Sequence, residues 1–228
     1  MGAELEVLLC DNHLLVVAKP AGLPSVPDSS GDESLLERAK LWVKQRYRKP
    51  GAVFLGVVQR LDRPVSGVLV FARTSKAAAR LSEALREQRA EKRYWAIAEG
   101  EPREQQGELV QWLWKDEPHN RVHVRGAASA GAREARTRWR VLARGGGRTL
   151  YELQPASGRS HQLRVAAASL GTPLCGDLKY GARAALEDQS IALHARELAF
   201  EHPVTRERVH CSAPLPLLPV WDMARALS

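Results

Sequence analysis

Cysteine is scarce in this chain. Three thiols in 228 residues, Cys10, Cys175 and Cys211, leave one over and show no metal-ligand spacing, which excludes a disulfide framework and points to a reducing, cytosolic compartment. No charged segment followed by a short apolar core opens the sequence, and no apolar run approaches the ~20 residues that a membrane-spanning helix needs. Glycine-rich phosphate loops are missing as well. His119 and His123 stand four apart, but no further ligand cluster supports them, so no metal centre is expected there. Acidic residues are outnumbered: 34 Lys and Arg against 26 Asp and Glu give a net charge of +8, which favours a polyanionic partner. From Arg121 to Arg148 there are eight arginines and a single carboxylate, Glu134. That stretch is able to track phosphates, or is simply a solvated, arginine-rich surface.

What is present is concentrated in a few short segments. In Val58-Gln59-Arg60-Leu61-Asp62-Arg63-Pro64-Val65-Ser66-Gly67 one carboxylate stands between two guanidiniums, just ahead of the apolar run Val68 to Phe71. Pro64 fixes its own φ and biases Arg63 away from helix, and Ser66-Gly67 adds a second flexible point. Asp62 is therefore expected on an irregular turn braced by a strand. Flanking cations favour its ionised form, fitting a nucleophile or base. Taken alone, an aspartate that closes a turn or pairs at the surface explains the position as well.

Three further segments weigh against that plainer reading. Glu91 to Gly100 reads as a strand whose alternation puts Tyr94 on one face beside only Ala96 and Ala98, leaving room for a flat partner. Ser157-Gly158-Arg159-Ser160-His161-Gln162-Leu163-Arg164 gathers two arginines, a histidine and an amide behind a glycine, a cluster suited to a polar, anionic ligand. Gly176-Asp177-Leu178-Lys179-Tyr180-Gly181 and Ser190-Ile191-Ala192-Leu193-His194-Ala195 follow at short distances.

In this order the segments resemble the RluA-type family of RNA pseudouridine synthases. The family pattern H-R-L-D-x-x-x-S-G-x-x-x-x-A corresponds to Gln59-Arg60-Leu61-Asp62 through Ser66-Gly67 to Ala72, its K-x-Y to Lys92-Arg93-Tyr94, and its G-R-T/S-H-Q-L/I-R to Gly158 through Arg164. The G-D-x-x-Y-G and L-H-A segments match, as does the opening Asn12 to Pro24 with Lys19-Pro20-Ala21-Gly22. The likeness is collinear from about residue 5 to about residue 217. Two segments depart from it. Gln59 replaces the usual histidine, a swap that keeps a donor and an acceptor, and Arg164-Val165-Ala166-Ala167-Ala168 replaces the common R-V-H-L-A.

The resemblance implies an α+β fold with a central, mostly antiparallel mixed sheet, flanking helices and a cleft across it. It implies isomerisation of uridine in rRNA or tRNA, with neither redox cofactor nor metal, because the same base rejoins the same ribose carbon. Asp62 is the implied essential carboxylate, either nucleophile at the anomeric carbon or base at the 2′ proton. Tyr94 is expected to stack on the uracil and Arg164 to pair with the aspartate. Arg60, Arg63, Arg159 and His161 are assigned to loop anchoring or RNA contact, Leu193 to an apolar wall or to ordinary core, and Lys19 and Lys179 to weaker RNA contacts. An RNA-binding or RNA-folding protein without activity, and a carboxylate-dependent glycosidase or base-excising hydrolase, are the rival functions; glycosidases usually need paired carboxylates, and only Asp62 stands out.

The length suits one catalytic domain over residues 1–228, with no separate RNA-binding module ahead of it, acting as a monomer. Strands are expected at Val7 to Leu9, Leu14 to Ala18, Gly107 to Trp114, Arg121 to Arg125, Ala135 to Ala143 and Leu150 to Gln154, with a hairpin from Ile191 to Ser212. Helices are expected at Ser34 to Arg46, at Ser75 to Gln88 with Ala78, Leu81 and Leu85 inward, and at His161 to Leu170, ending at Gly171.

Overall fold

Asp11 turns the chain between its first two strands. In the computed structural model, which describes residues 5–227, its carboxylate accepts from the backbone N–H groups of His13 (2.6 Å) and Leu14 (2.7 Å) and reverses the chain between β1 (Glu6–Cys10) and β2 (Leu14–Lys19). The described residues contain eleven strands and four α-helices, an α+β fold. They form two compact units. One comprises the chain up to Glu91 together with 195–214, the other 92–194 together with the chain from Leu215 onward.

In the first unit β2 pairs antiparallel with β4 (Ser66–Ala72), which also carries the short β3 (Gly56–Val57). Beyond β4 lie β10 (Leu193–Glu201) and its antiparallel partner β11 (Arg208–Ser212). Every residue of β4 is buried. This is why it reads as an unbroken apolar run and not as an alternation. Leu14, Val16, Val68, Val70, Leu81 and Phe200 form the core here. Helix α1 (Leu35–Arg46) starts at Ser34, whose hydroxyl accepts from Glu37 N–H while the Glu37 carboxylate accepts from Ser34 N–H, a reciprocal capping box. Helix α2 (Ser75–Arg86) is capped by Thr74. It buries Ala77, Leu81 and Ala84, with Ala78 and Leu85 at the margin of the stripe.

The sheet of the second unit runs in the order β5-β9-β8-β6-β7, antiparallel at each step: β5 (Glu91–Glu99), β6 (Gln106–Asp116), β7 (Arg121–Arg125), β8 (Arg133–Gly145) and β9 (Arg148–Pro155). Helix α3 (Gln162–Ser169) covers one face, Val165 packing with Leu113, Val122 and Ala135. On the opposite face Val220 and Trp221, with Ala224 of α4 (Asp222–Arg225), pack against Ile97 and Leu150.

Strands 6, 8 and 9 run longer than their apolar alternation suggests, since their polar ends are held by ladder bonds regardless of side chain. The hairpin expected from Ile191 begins as a strand only at Leu193. Ala192 instead bonds the backbones of Ile97 and Cys175 (both 2.9 Å).

Candidate active site

The turn that carries Asp62 is tied down through the backbone groups of Leu61, Asp62, Arg63 and Val65. Val65 N–H donates to Asp62 C=O at 3.0 Å, closing a turn with Arg63 and Pro64 at its centre. One buried hydroxyl serves both polar groups of the preceding residue: Ser25 Oγ accepts from Leu61 N–H at 3.0 Å and donates to Leu61 C=O at 2.7 Å. The following carbonyl, that of Arg63, accepts from Gly22 N–H (2.9 Å) and from Lys19 Nζ (3.1 Å). Asp62 itself is half-buried.

Lys19 is 1 % exposed. Its ammonium also donates to the carbonyls of Pro20 (2.9 Å) and Leu23 (2.6 Å), so its three protons meet three carbonyls. Burial lowers its pKa from 10.5 to about 7; the nearby negative charge of Asp62 opposes that fall and Arg63 adds to it. The expectation that Lys19 touches RNA is thereby corrected. It is an internal clamp that joins the turn at 20–23 to the turn at 62–65.

Arg63 is turned away from its neighbour. Its guanidinium bonds Asp32 (2.5 Å), both oxygens of Asp28 (3.1 Å) and Ser30 Oγ (2.5 Å). Bonds from the Ser30 hydroxyl and backbone N–H, and after them the bond from Arg63, hold the Asp28 carboxyl down at about 2. Arg60 is exposed. Of the two flanking guanidiniums, that of Arg63 is committed to the 28–32 loop, and the charge of Asp62 also acts on the buried ammonium of Lys19.

Beyond the turn, Gly67 has φ +120°, and a Cβ there would lie 2.3 Å from the carbonyl oxygen of Ala195. Glycine is what lets β4 approach β10 so closely.

In the second unit Tyr94 is half-buried on β5 opposite Leu153, with Ala96 and Ala98 fully buried along the same face. Lys92 lies two residues before it, on that face. Burial lowers its pKa, and Nζ donates to Ser157 C=O at 3.4 Å. The 157–162 loop is pinned by one buried amide: Gln162 Oε1 accepts from Ser157 Oγ (2.7 Å) and Arg159 N–H (3.2 Å), while its Nε2 donates to Arg136 C=O (3.0 Å) and Thr137 Oγ1 (2.9 Å). Arg159 is exposed and donates from Nε to Glu134 C=O at 3.1 Å.

Arg164 is buried on α3 and makes a two-pronged ion pair with Asp177, Nε to Oδ2 and Nη2 to Oδ1, both 2.7 Å. Its guanidinium also lies over the Tyr180 ring, 5.1 Å from the centroid. The Tyr180 hydroxyl accepts from Val122 N–H at 2.8 Å and shares a 2.7 Å bond with His161 Nδ1. His161 is itself buried and left-handed at φ 50°, heading the helix. Gly176 belongs to the same support, since a Cβ there would lie 2.5 Å from Ser190 C=O. Asp177 stands in the Gly176 to Gly181 segment, where the sequence alone assigns it no role. The signal the sequence offers is the Gly176-Asp177 pair that opens this segment.

Leu193 is buried, and Lys179 reaches Asn120 C=O at 2.8 Å. His119 bonds Asp116 at 2.8 Å, while the His123 ring packs against Trp114. Among the described residues no three His, Cys, Asp or Glu side chains cluster as metal ligands, and no helix is long and apolar enough to cross a membrane.

A family model described as RNA pseudouridylate synthase matches residues 13–169. The dual-specificity RNA pseudouridine synthase RluA of Pasteurella multocida is 35% identical over 216 residues, 92% of this chain and 93% of the relative. An uncharacterized RNA pseudouridine synthase of Bacillus subtilis, YhcT, is 36% identical over 93% of this chain and 69% of its own length. Among solved structures, human RNA pseudouridylate synthase domain containing 4 superposes with a TM-score of 0.79 at 25% identity, covering 96% of this chain and 92% of that one.

Proposed function

The chain belongs to the RNA pseudouridylate synthase family, and from that premise we propose that it converts specific uridines of ribosomal or transfer RNA to pseudouridine with Asp62 as the essential carboxylate. The observation that carries the assignment is the clamp around Asp62. A side chain whose flanking peptide groups are fixed by Ser25, Gly22 and Lys19 meets a reacting atom without a reorganisation cost.

The reaction sets the roles. The N1–C1′ bond of uridine breaks, the uracil turns, C5 bonds C1′, and the proton leaving C5 is balanced by one gained at N1. Atoms and electrons are conserved within the nucleotide, so no oxidant and no metal is called for. A stacked uridine must first be extruded, at a cost of a few kcal/mol, which Arg and Lys contacts to phosphates offset. Asp62 acts on the ribose, as nucleophile at C1′ or as base at the 2′ carbon. Tyr94 stacks on the base and stands ready to take the C5 proton. Arg164, oriented by Asp177, supplies the positive charge that balances the carboxylate. Leu193 contributes apolar wall, Arg60 and Arg159 contact RNA, and Arg63 and His161 hold the loops on which the others depend.

The test is chemical. Purified protein is incubated with transcribed 23S, 16S and transfer RNA, and pseudouridine is mapped by carbodiimide labelling. Conversion at one or a few discrete uridines is expected. Release of free uracil would identify a hydrolase, and binding without either product an RNA-binding protein.

A further inference from the structure

One face of the second unit's sheet carries rings and cations in a pattern the reaction does not use. Residues directly opposed on antiparallel strands share a face. The register therefore sets Trp112 beside Arg125 and Glu134, Trp114 beside His123, Val110 beside Arg136, and Glu108 beside Arg138. The opposite face of these strands is the one buried under α3. Tyr94, in line with Leu153 and Trp139, belongs to that buried face.

On the outward face Arg136, Arg138 and Arg140 recur at every second residue of β8, ~6.6 Å apart, with 46, 76 and 56 % of their side chains exposed. Beside this row Trp112 and Trp114 are half-exposed, and the Arg125 guanidinium lies 5.3 Å from the Trp114 ring centroid. Val110 is 49 % exposed in the middle of the face. At its far end Arg138 and Arg140 line a groove of about 540 Å³ with Gln106 and Gln154.

Carboxylates interrupt the row without closing it. Glu152 is buried and committed to Arg140 and Gln154. Glu134 pairs with Arg136 at 3.1 Å, and Glu108 reaches Arg136 and Arg138 at 3.4 Å, all of these side chains being exposed. An exposed ion pair of this kind is worth about 0–1 kcal/mol, so a phosphate displaces the carboxylate at little cost. Cations in a row with rings alongside are what binds unpaired nucleic acid, the rings stacking on bases whatever their identity. A duplex hides those base faces.

We propose that this outward sheet face is a second RNA-docking surface, which takes an unpaired stretch of the substrate RNA with bases on Trp112 and Trp114 and phosphates on Arg125, Arg136 and Arg138. The proposal rests on the reading of the chain as an RNA-modifying enzyme and deepens it: recognition extends to a face turned away from Tyr94.

The experiment uses the full chain and a 12-mer of oligouridylate carrying 4-thiouridine. Crosslinks are expected in peptides from β6, β7 and β8, and a 12-base-pair RNA duplex is expected to compete at least tenfold less well than the single strand. Arg125→Glu/Arg138→Glu, confirmed folded by circular dichroism, is expected to weaken 12-mer binding at least tenfold at 150 mM salt. It should also lower the slope of log K against log salt by about 1.4, two phosphate contacts at ~0.7 each. Unchanged affinity in the folded double variant, crosslinks confined to other peptides, or a duplex that competes equally well overturns the proposal. Asp62→Asn is expected to keep these crosslinks while losing pseudouridine formation, so failure of the enzymatic reading and failure of the docking surface are read separately.

Discussion

Lys19 carries a charge where water does not reach, and its titration is measurable. Its pKa of about 7 in the folded chain lies below the ordinary 10.5, so between those values the unfolded chain binds more protons. Stability then rises with pH across that window by up to ~1.4 kcal/mol per pH unit from this group, and below pH 7 its contribution is flat. Urea unfolding between pH 6.5 and 9.5 checks this: the difference between wild type and Lys19→Met should slope over the window, and parallel curves would contradict the buried ammonium. A second residue-scale test separates structure from chemistry at Arg164. Arg164→Met leaves the buried Asp177 unpaired and should cost about 3–5 kcal/mol, while Arg164→Met/Asp177→Leu should recover most of it. Neither variant is expected to form pseudouridine; activity in the double variant would remove Arg164 from the reaction. The sequence marks Asp62, Tyr94 and Arg164 as unusual, but not their partners. Lys19 reads as a surface cation because lysine is seldom buried, and the guanidinium of Arg63 finds its acids in a loop some 31 to 35 residues away.

Among the elements, the loop before β4 and the strand itself depend on residues with no chemistry of their own. Ser25→Ala removes both bonds to Leu61 and leaves buried peptide groups unsatisfied, for about 1–3 kcal/mol. Turnover should fall roughly tenfold by loosening Asp62, with RNA affinity within twofold of wild type; steady-state kinetics beside a binding titration decides it, and an unaltered kcat would deny Ser25 a positioning role. Gly67→Ala has no such latitude, because its Cβ meets the Ala195 carbonyl at 2.3 Å in a left-handed backbone. It should lower stability by at least ~3 kcal/mol, and a melting temperature within 2 °C of wild type would contradict the close strand approach. At this scale the sequence is informative where a period is long. The capped helices α1 and α2 and the strands of the second unit stand out by spacing and caps. The two-residue β3 and the single turn of α4 do not, since neither is long enough to show a period. Gln162 is visible in the sequence only as the amide of its motif, and its four bonds pinning the loop appear once β8 is placed beside it.

As a whole molecule the protein is a basic α+β chain of net charge +8 that belongs to a family of RNA-modifying isomerases. Fold class and family were legible because several motifs recur in one order along most of the chain. The division into two units was not, for a physical reason: two of its three boundaries, 91/92 and 194/195, fall inside β5 and β10, where no Gly-, Pro- or Ser-rich linker advertises them. Only the third, 214/215, lies in a Pro-rich stretch, Pro214 to Pro219. Asp62 stands in the first unit, Tyr94 and Arg164 in the second. The central claim is that the Asp62 carboxylate performs the isomerisation, and the most direct measurement is single-turnover pseudouridine formation on a mapped substrate RNA by wild type and Asp62→Asn at matched, saturating enzyme. The account predicts that the amide variant binds the RNA within a few-fold of wild type yet forms no detectable pseudouridine; conversion by Asp62→Asn at a rate near that of wild type would contradict it.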